Sequence, residues 1–257
     1  MIMDAVNDTG KLYDMKMNVK KTKVMRVFRD GNEQARGNKL NIIIDGQVVE
    51  QVKQFRYLGS FISEDGTCET ELKSRIAMAK DAFNKRRELL TKRMSINLKK
   101  RIIKIIVWSV ALYGSKTWTL RKKERDKLEA FEMWTWRNMM KISWQEHKTN
   151  DYVLQTVGER RKILEMIMER KKKWLGHILR GESLVRDVLE GRLEGSRGRG
   201  RPRIMMLDDI TGHRTYAEIK RIAMDRETWE EIHSLNLPKG RTPMMMNNIV
   251  LNKNHYY

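Results

Sequence analysis

The 257-residue sequence is 40% hydrophobic and 33% charged, a balance that supports one or two packed cores and sets it apart from disordered chains. Lys and Arg number 53 against 33 Asp and Glu, so the formal net charge is +20 and the pI is about 10.0, which points to a polyanionic partner: nucleic acid first, an anionic membrane surface second. One cysteine, Cys68, excludes an intrachain disulfide and Cys-rich zinc modules and fits a reducing compartment. The longest apolar run, Ile102 to Tyr113, is broken by Lys104 and falls short of the ~20 residues that a bilayer span needs, and the Met1 end has no signal-peptide pattern. An intracellular protein of the nucleus or cytoplasm, with no membrane partner, is expected.

In chain order, residues 1 to 15 have helical spacing, a basic turn opens at Met17-Asn18, and Lys23 to Phe28 reads as a strand. Apolar runs at 40–44, 48–49 and 55–62, divided by Asp45-Gly46 and closed by Asp65-Gly66, predict a small β-meander. The period then changes: Leu72, Ile76, Ala79 and Phe83 fall on one stripe of a helix. Ser95 caps a further helix that runs to Tyr113, is apolar nearly all round over Ile102 to Val110, belongs at the centre of a bundle, and stops at Gly114. Helices are also predicted at about 121–141, at 151–157 with Asn150 as cap and Gly158 beyond, at about 160–180, and at about 215–235. Between them, 181–203 is rich in Gly and Arg and reads as a linker or binding tail, and the last twenty residues look loose.

Two-metal nucleotidyl transfer needs paired carboxylates on a rigid strand or hairpin. Asp208-Asp209 are the only adjacent aspartates, but they follow Pro202 and a basic stretch with no β-run on either side, so they read as the acidic start of a helix. No Gly-rich phosphate loop, nucleophile elbow or zinc-protease helix is present. His147, His177, His213, His233 and His255 lack metal-ligand spacing, so no metal ligand is assigned.

The basic clusters carry more information. Residues 71–104 hold twelve Lys or Arg against three acids, and 160–173 hold seven against two, both on helices with apolar opposite faces. Each alone reads as a solvated face. Two together make a track for phosphates, through Lys85, Arg86, Lys92, Arg93, Lys99 and Lys100. Arg199, Arg201 and Arg203, spaced by Gly200 and Pro202, resemble the core of an AT-hook, with generic attraction to RNA or DNA as the other reading.

Six segments in order, Met17-Asn-Val-Lys-Lys-Thr-Lys-Val-Met25, Phe55-Arg-Tyr-Leu-Gly-Ser60, Ala111-Leu-Tyr-Gly-Ser-Lys-Thr-Trp-Thr-Leu120, Lys148-Thr-Asn150, Trp174-Leu-Gly-His-Ile-Leu-Arg180 and Gly200-Arg-Pro202, resemble the C-terminal half of non-long-terminal-repeat (non-LTR) retrotransposon endonuclease-reverse transcriptases of the RTE/BovB-like clade. The resemblance covers about residues 5 to 212. It implies that Asn18, Lys20, Lys21 and Thr22 belong to palm motif D, with Lys21 near the triphosphate in a catalytic role or as a solvated lysine. It implies that Tyr57, Leu58 and Gly59 form the tip of the primer grip; the residues alone also read as a buried strand with Phe55 and Tyr57 on one face. The helices from about 69 would be the thumb that lies along an RNA-DNA primer-template. The intact family uses Mg2+, whereas this chain is expected to hold no cofactor, because the catalytic aspartates of the palm would lie upstream of Met1.

The expected fold class is α+β: a small antiparallel palm remnant at 1–66, then a mainly α-helical bundle of thumb (67–146) and connector (147–192), and a flexible basic tail (193–257). The expected function is that of a truncated reverse transcriptase, an RNA-directed DNA polymerase piece that grips nucleic acid but does not polymerise alone. The alternatives are a non-enzymatic RNA- or DNA-binding protein derived from a retroelement, and retroelement debris.

Overall fold

Two short hairpins follow directly from turn chemistry. The computed structural model of the protein describes residues 2–27, 40–191, 206–211 and 214–234. In it, Asp45 and Gly46 both take positive φ (47° and 77°), the geometry of a tight two-residue hairpin turn, and join β2 (Ile43–Ile44) to β3 (Gln47–Val48). Leu58 and Gly59 (47° and 84°) do the same between β5 (Gln54–Tyr57) and β6 (Ser60–Ser63). Helix α1 (Ile2–Leu12) is fixed to the first turn through Asp45, whose carboxylate accepts from Asn7 (2.9 Å) and from the Lys11 ammonium (2.6 Å). The Lys11 hydrogen bond and then that of Asn7 hold the Asp45 carboxyl below its usual range.

Among the described residues the expected antiparallel meander is three separate two-stranded sheets, and one of them is parallel: β1 (Lys23–Val24) pairs with β4 (Glu50–Gln51) in the register Lys23↔Glu50 and Val24↔Gln51. A salt bridge between Lys23 and Glu50 and the bond from Val52 N–H to Val24 O (2.9 Å) support that pair. The strand predicted to reach Phe28 ends at Val24, and Phe28 lies outside the described residues. Among the described residues up to 66, only Ile44 and Val49 are buried hydrophobics, while Ile2, Leu12, Tyr13, Val48 and Leu58 are exposed.

The rest is mainly helical. Helix α2 (Glu69–Asn84) buries Leu72, Ala79 and Phe83 and half-buries Ile76, as the stripe predicted. After α3 (Arg87–Thr91), the Ser95 hydroxyl accepts from Leu98 N–H at 3.4 Å and opens α4 (Ile96–Ile102). This helix runs through a π turn (Ile103–Val107) into α5 (Trp108–Ala111) and stops at Gly114, φ 71°. The extra residue in the π turn brings Val107 and Trp108 side by side into the core. The helix is not buried all round as its composition implied: Ile105 is 59% exposed.

Helix α6 (Lys122–Met140) supplies Leu128, Phe131, Met133, Trp136 and Met139 to the same core, where Trp108 and Trp136 meet edge to face at 5.4 Å and Phe83 meets Trp134 at 5.2 Å. Helix α7 (Asn150–Val157) is capped by the Thr149 hydroxyl, which accepts from Tyr152 N–H (3.2 Å), and not by Asn150; it ends at Gly158, φ 66°.

Two compact units emerge among the described residues. The first holds residues up to Lys171 together with 206–211, and the second holds 172–191 with 214–234. The boundary falls inside α8 (Ile163–Arg180). The second unit contains α9 (Leu184–Glu190), a helix within the stretch expected to be linker, and α11 (Tyr216–Met224) and α12 (Arg226–Ser234), two helices where one was predicted. Gly176 packs against Trp229, which explains a glycine in the middle of a helix. Arg180 donates to Ala223 O (2.8 Å), and Glu190 accepts from Tyr216 (3.2 Å) and Lys220 (2.7 Å). No helix among the described residues is long and apolar enough to cross a membrane.

Candidate nucleic-acid interface

The turn predicted from the Asn-x-x-Lys-Thr pattern is a self-contained device. Asn18 Oδ1 accepts from Lys21 N–H (3.1 Å), and Asn18 O accepts from Lys21 N–H (3.0 Å), Thr22 N–H (2.9 Å) and the Thr22 hydroxyl (2.9 Å). Asn and Thr are used because each satisfies main-chain groups locally. The turn leaves the side chains of Lys20 and Lys21 in solvent, with no ion pair among the described residues.

The β5–β6 hairpin is held by a buried ion pair that charge counting could not single out. Glu71 (4% exposed) and Arg75 (6% exposed) lie one turn apart on α2, with Arg75 Nε 2.7 Å from Glu71 Oε1. Each then reaches the hairpin: Arg75 Nη2 donates to Gly59 O (2.6 Å), and Glu71 Oε2 accepts from Phe61 N–H (2.7 Å). The Arg75 guanidinium also lies 4.3 Å from the ring centroid of Tyr113, whose hydroxyl donates to Leu58 O (3.4 Å). The tip at Tyr57, Leu58 and Gly59 is therefore fastened from beneath and presented to solvent, with Tyr57 and Leu58 exposed. The strand is not buried: β5 is exposed throughout, including Phe55 and Tyr57, so the buried-strand reading is set aside. The signal for the missed pair was the Glu-x-x-x-Arg spacing directly after a hairpin.

The two basic clusters meet. Lys100 and Lys104 from the first and Lys162 from the second all approach Glu159, at 3.4, 2.7 and 3.7 Å. Lys100 also donates to Val157 O (3.1 Å) and Gly158 O (3.4 Å), closing the end of α7. Burial pushes the Glu159 carboxyl up, but the Lys104 hydrogen bond and the charges of Lys104, Lys162 and Lys100 outweigh it and hold the carboxyl below its usual range. Beside it lies an open groove of about 630 Å³, lined by Asp151, Leu154, Gln155 and residues 158–162.

The predicted contact residues thus divide. Lys85 pairs with Asp81 (2.8 Å), Lys92 pairs with Glu88, and Arg86 donates to Ala82 O (3.2 Å); both ion pairs are well exposed and leave the cations accessible. Arg93 is exposed and Lys99 half-buried, without ion pairs among the described residues. Lys100 is committed to Glu159 and the α7 carbonyls. In the second cluster Lys171 is fully buried, paired with Asp209 (2.9 Å), and Arg170 donates to Leu112 O (3.1 Å), so neither presents its charge as a solvated helix face. Arg199, Arg201 and Arg203 lie outside the described residues.

Asp208 and Asp209 open α10 (Asp208–Thr211), as a helix-start pair should. The Asp209 carboxylate is taken by Lys171 and Arg125 and its side chain is only 3% exposed, so this pair does not fit a Mg2+ site. No group of three or more His, Cys, Asp or Glu side chains among the described residues is placed to hold a metal ion. Comparison of the chain with protein-family models, with curated proteins and with solved structures gave no match.

Proposed function

We propose that this chain is the thumb and primer-grip end of a non-LTR reverse transcriptase and that it grips primer-template nucleic acid through its basic helices. The observation that carries the reading is the convergence at Glu159 of Lys100, Lys104 and Lys162, from clusters more than fifty residues apart, beside Arg160 and Arg161 at one open groove. Asp151 also lines the groove, and Arg160 and Arg161 pair with Glu165 (3.2 Å) and Glu129 (2.7 Å), so the five cations exceed the four acids around them, a surplus suited to phosphates, which supply affinity without reading sequence. The fastened hairpin tip adds a second element, a loop whose Leu58 and Gly59 carbonyls are held by Tyr113 and Arg75 while Tyr57 and Leu58 are exposed.

In this reading Lys21 sits in an exposed turn on the palm side, and the chain binds primer-template without extending the primer. The test is a primed RNA template incubated with the purified chain, deoxynucleotides and Mg2+, with binding and extension followed together. Tight binding at low salt with no extension is expected. Extension, or no binding at low salt, refutes the proposal.

A further inference from the structure

Trp144 is the one exposed tryptophan among the described residues, at 63%, and nothing in the grip above uses it. It is held in place all the same. It begins a single 3-10 turn, Trp144–Glu146, framed by Ser143, whose N–H donates to Glu146 Oε1 (2.7 Å) and whose hydroxyl accepts from Gln145 N–H (3.2 Å).

One face of the indole is covered by the Arg137 guanidinium, 4.1 Å from the ring centroid. Arg137 is itself only 3% exposed and has no carboxylate partner among the described residues: Nη2 donates to Lys148 O (2.6 Å) and Asn150 Oδ1 (3.3 Å), while Nε and Nη1 find no hydrogen-bond partner there. The Lys148-Thr149-Asn150 segment is thereby accounted for, since Thr149 caps α7 and its two neighbours hold the arginine. Tyr152, 45% exposed on the first turn of α7, has the ammonium of the exposed Lys148 4.9 Å from its ring centroid.

A buried guanidinium without a counter-ion is costly to keep. Two exposed aromatic rings, each with a cation over one face and linked through Lys148, which touches both Arg137 and Tyr152, offer flat surfaces on which bases stack while the positive charge attracts phosphate. Two acids lie in the segment: Glu146 is turned to Ser143 N–H, and Asp151 stands in the first turn of α7.

We propose that Trp144 and Tyr152, backed by Arg137 and Lys148, are a stacking station for unpaired bases of single-stranded nucleic acid. This rests on the reading of the protein as a nucleic-acid binder but uses residues outside its basic helices. The experiment titrates the full chain, W144A and W144F against three fluorescent ligands at one salt concentration: oligothymidylate, an abasic oligomer of equal length, and a blunt duplex. Loss of one base stack weakens binding by about 5- to 100-fold. W144A is expected to lose that much toward oligothymidylate only, with W144F retaining most of the affinity. Unchanged binding of oligothymidylate by W144A, or an equal loss toward the abasic oligomer, overturns the station; persistent duplex binding then leaves the basic grip standing. If wild type binds none of the three, both proposals fall.

Discussion

Replacing Arg75 with alanine tests whether the hairpin is fastened as described. The change removes the bonds to Glu71 Oε1 (2.7 Å) and Gly59 O (2.6 Å) and leaves a carboxylate that is 4% exposed with Phe61 N–H as its remaining partner. Removing one member of a buried pair costs about 3–5 kcal/mol, because the other charge stays in a poor solvent for it. The lost carbonyl bond, worth about 1–3 kcal/mol if its acceptor stays dry, overlaps with that figure once water enters. A net loss of about 3–5 kcal/mol is therefore expected for R75A in urea unfolding followed by far-ultraviolet circular dichroism. E71M/R75M, which removes both charges, should lose less than the sum of the single changes by about 1–3 kcal/mol. A loss under about 1 kcal/mol for R75A, or strict additivity, refutes the reasoning.

Three further outcomes follow from buried contacts. Glu132, fully buried on α6, accepts from Lys162 N–H (2.9 Å) and Ile163 N–H (3.3 Å) at the start of α8, so E132A should cost about 2–4 kcal/mol in the same urea assay, more than a surface helix cap. Alanine at Gly176 would place its methyl within 2.9 Å of the Trp229 indole, so a loss of about 1–3 kcal/mol from crowding should replace the gain of about 1 kcal/mol that a helical Gly→Ala change otherwise brings, read as a lower melting temperature. The depressed Glu159 carboxyl contributes stability that is fully present above its ordinary value of 4.5 and lost as pH falls through its lower folded value. Glu69, held at about 2 by hydrogen bonds from Lys73 and Lys127, acts in the same direction. E159Q should therefore flatten the fall in melting temperature below about pH 4.5; an unchanged acid limb contradicts the assignment.

Much of the local structure could be read from residue chemistry. Asp45-Gly46 marked its turn, Ser95 its helix start, and Gly114 and Gly158 their helix ends, because each signal acts within a few residues, whereas the turn at Leu58-Gly59 lies inside the apolar run 55–62 and was implied only by the resemblance. The parallel β1–β4 pair was not readable, since two-residue strands show no alternation and their pairing joins residues 27 apart. Asn150 was expected to cap α7, but the Thr149 hydroxyl caps it and Asn150 instead accepts from the buried Arg137. Counting charges treated Arg75, Lys171 and Lys100 as surface cations, whereas tertiary partners at Glu71, Asp209 and Glu159 engage all three, with Arg75 and Lys171 buried and Lys100 half-buried. The candidate grip was legible as composition and as cluster spacing, and its division into structural and accessible cations was not.

The central claim is tested most directly by the salt dependence of binding to a fluorescent RNA-DNA primer-template, comparing wild type with the charge reversal K92E/R93E/K99E. These three cations are not part of the buried ion pairs that hold the fold together. Each phosphate contact contributes about 0.9 to the slope of log affinity against log salt. A steep wild-type slope that becomes shallower by about 2 or 3 in the triple variant, with the melting temperature preserved, is the predicted result. A wild-type affinity insensitive to salt, or a slope left unchanged by the three reversals, contradicts the grip.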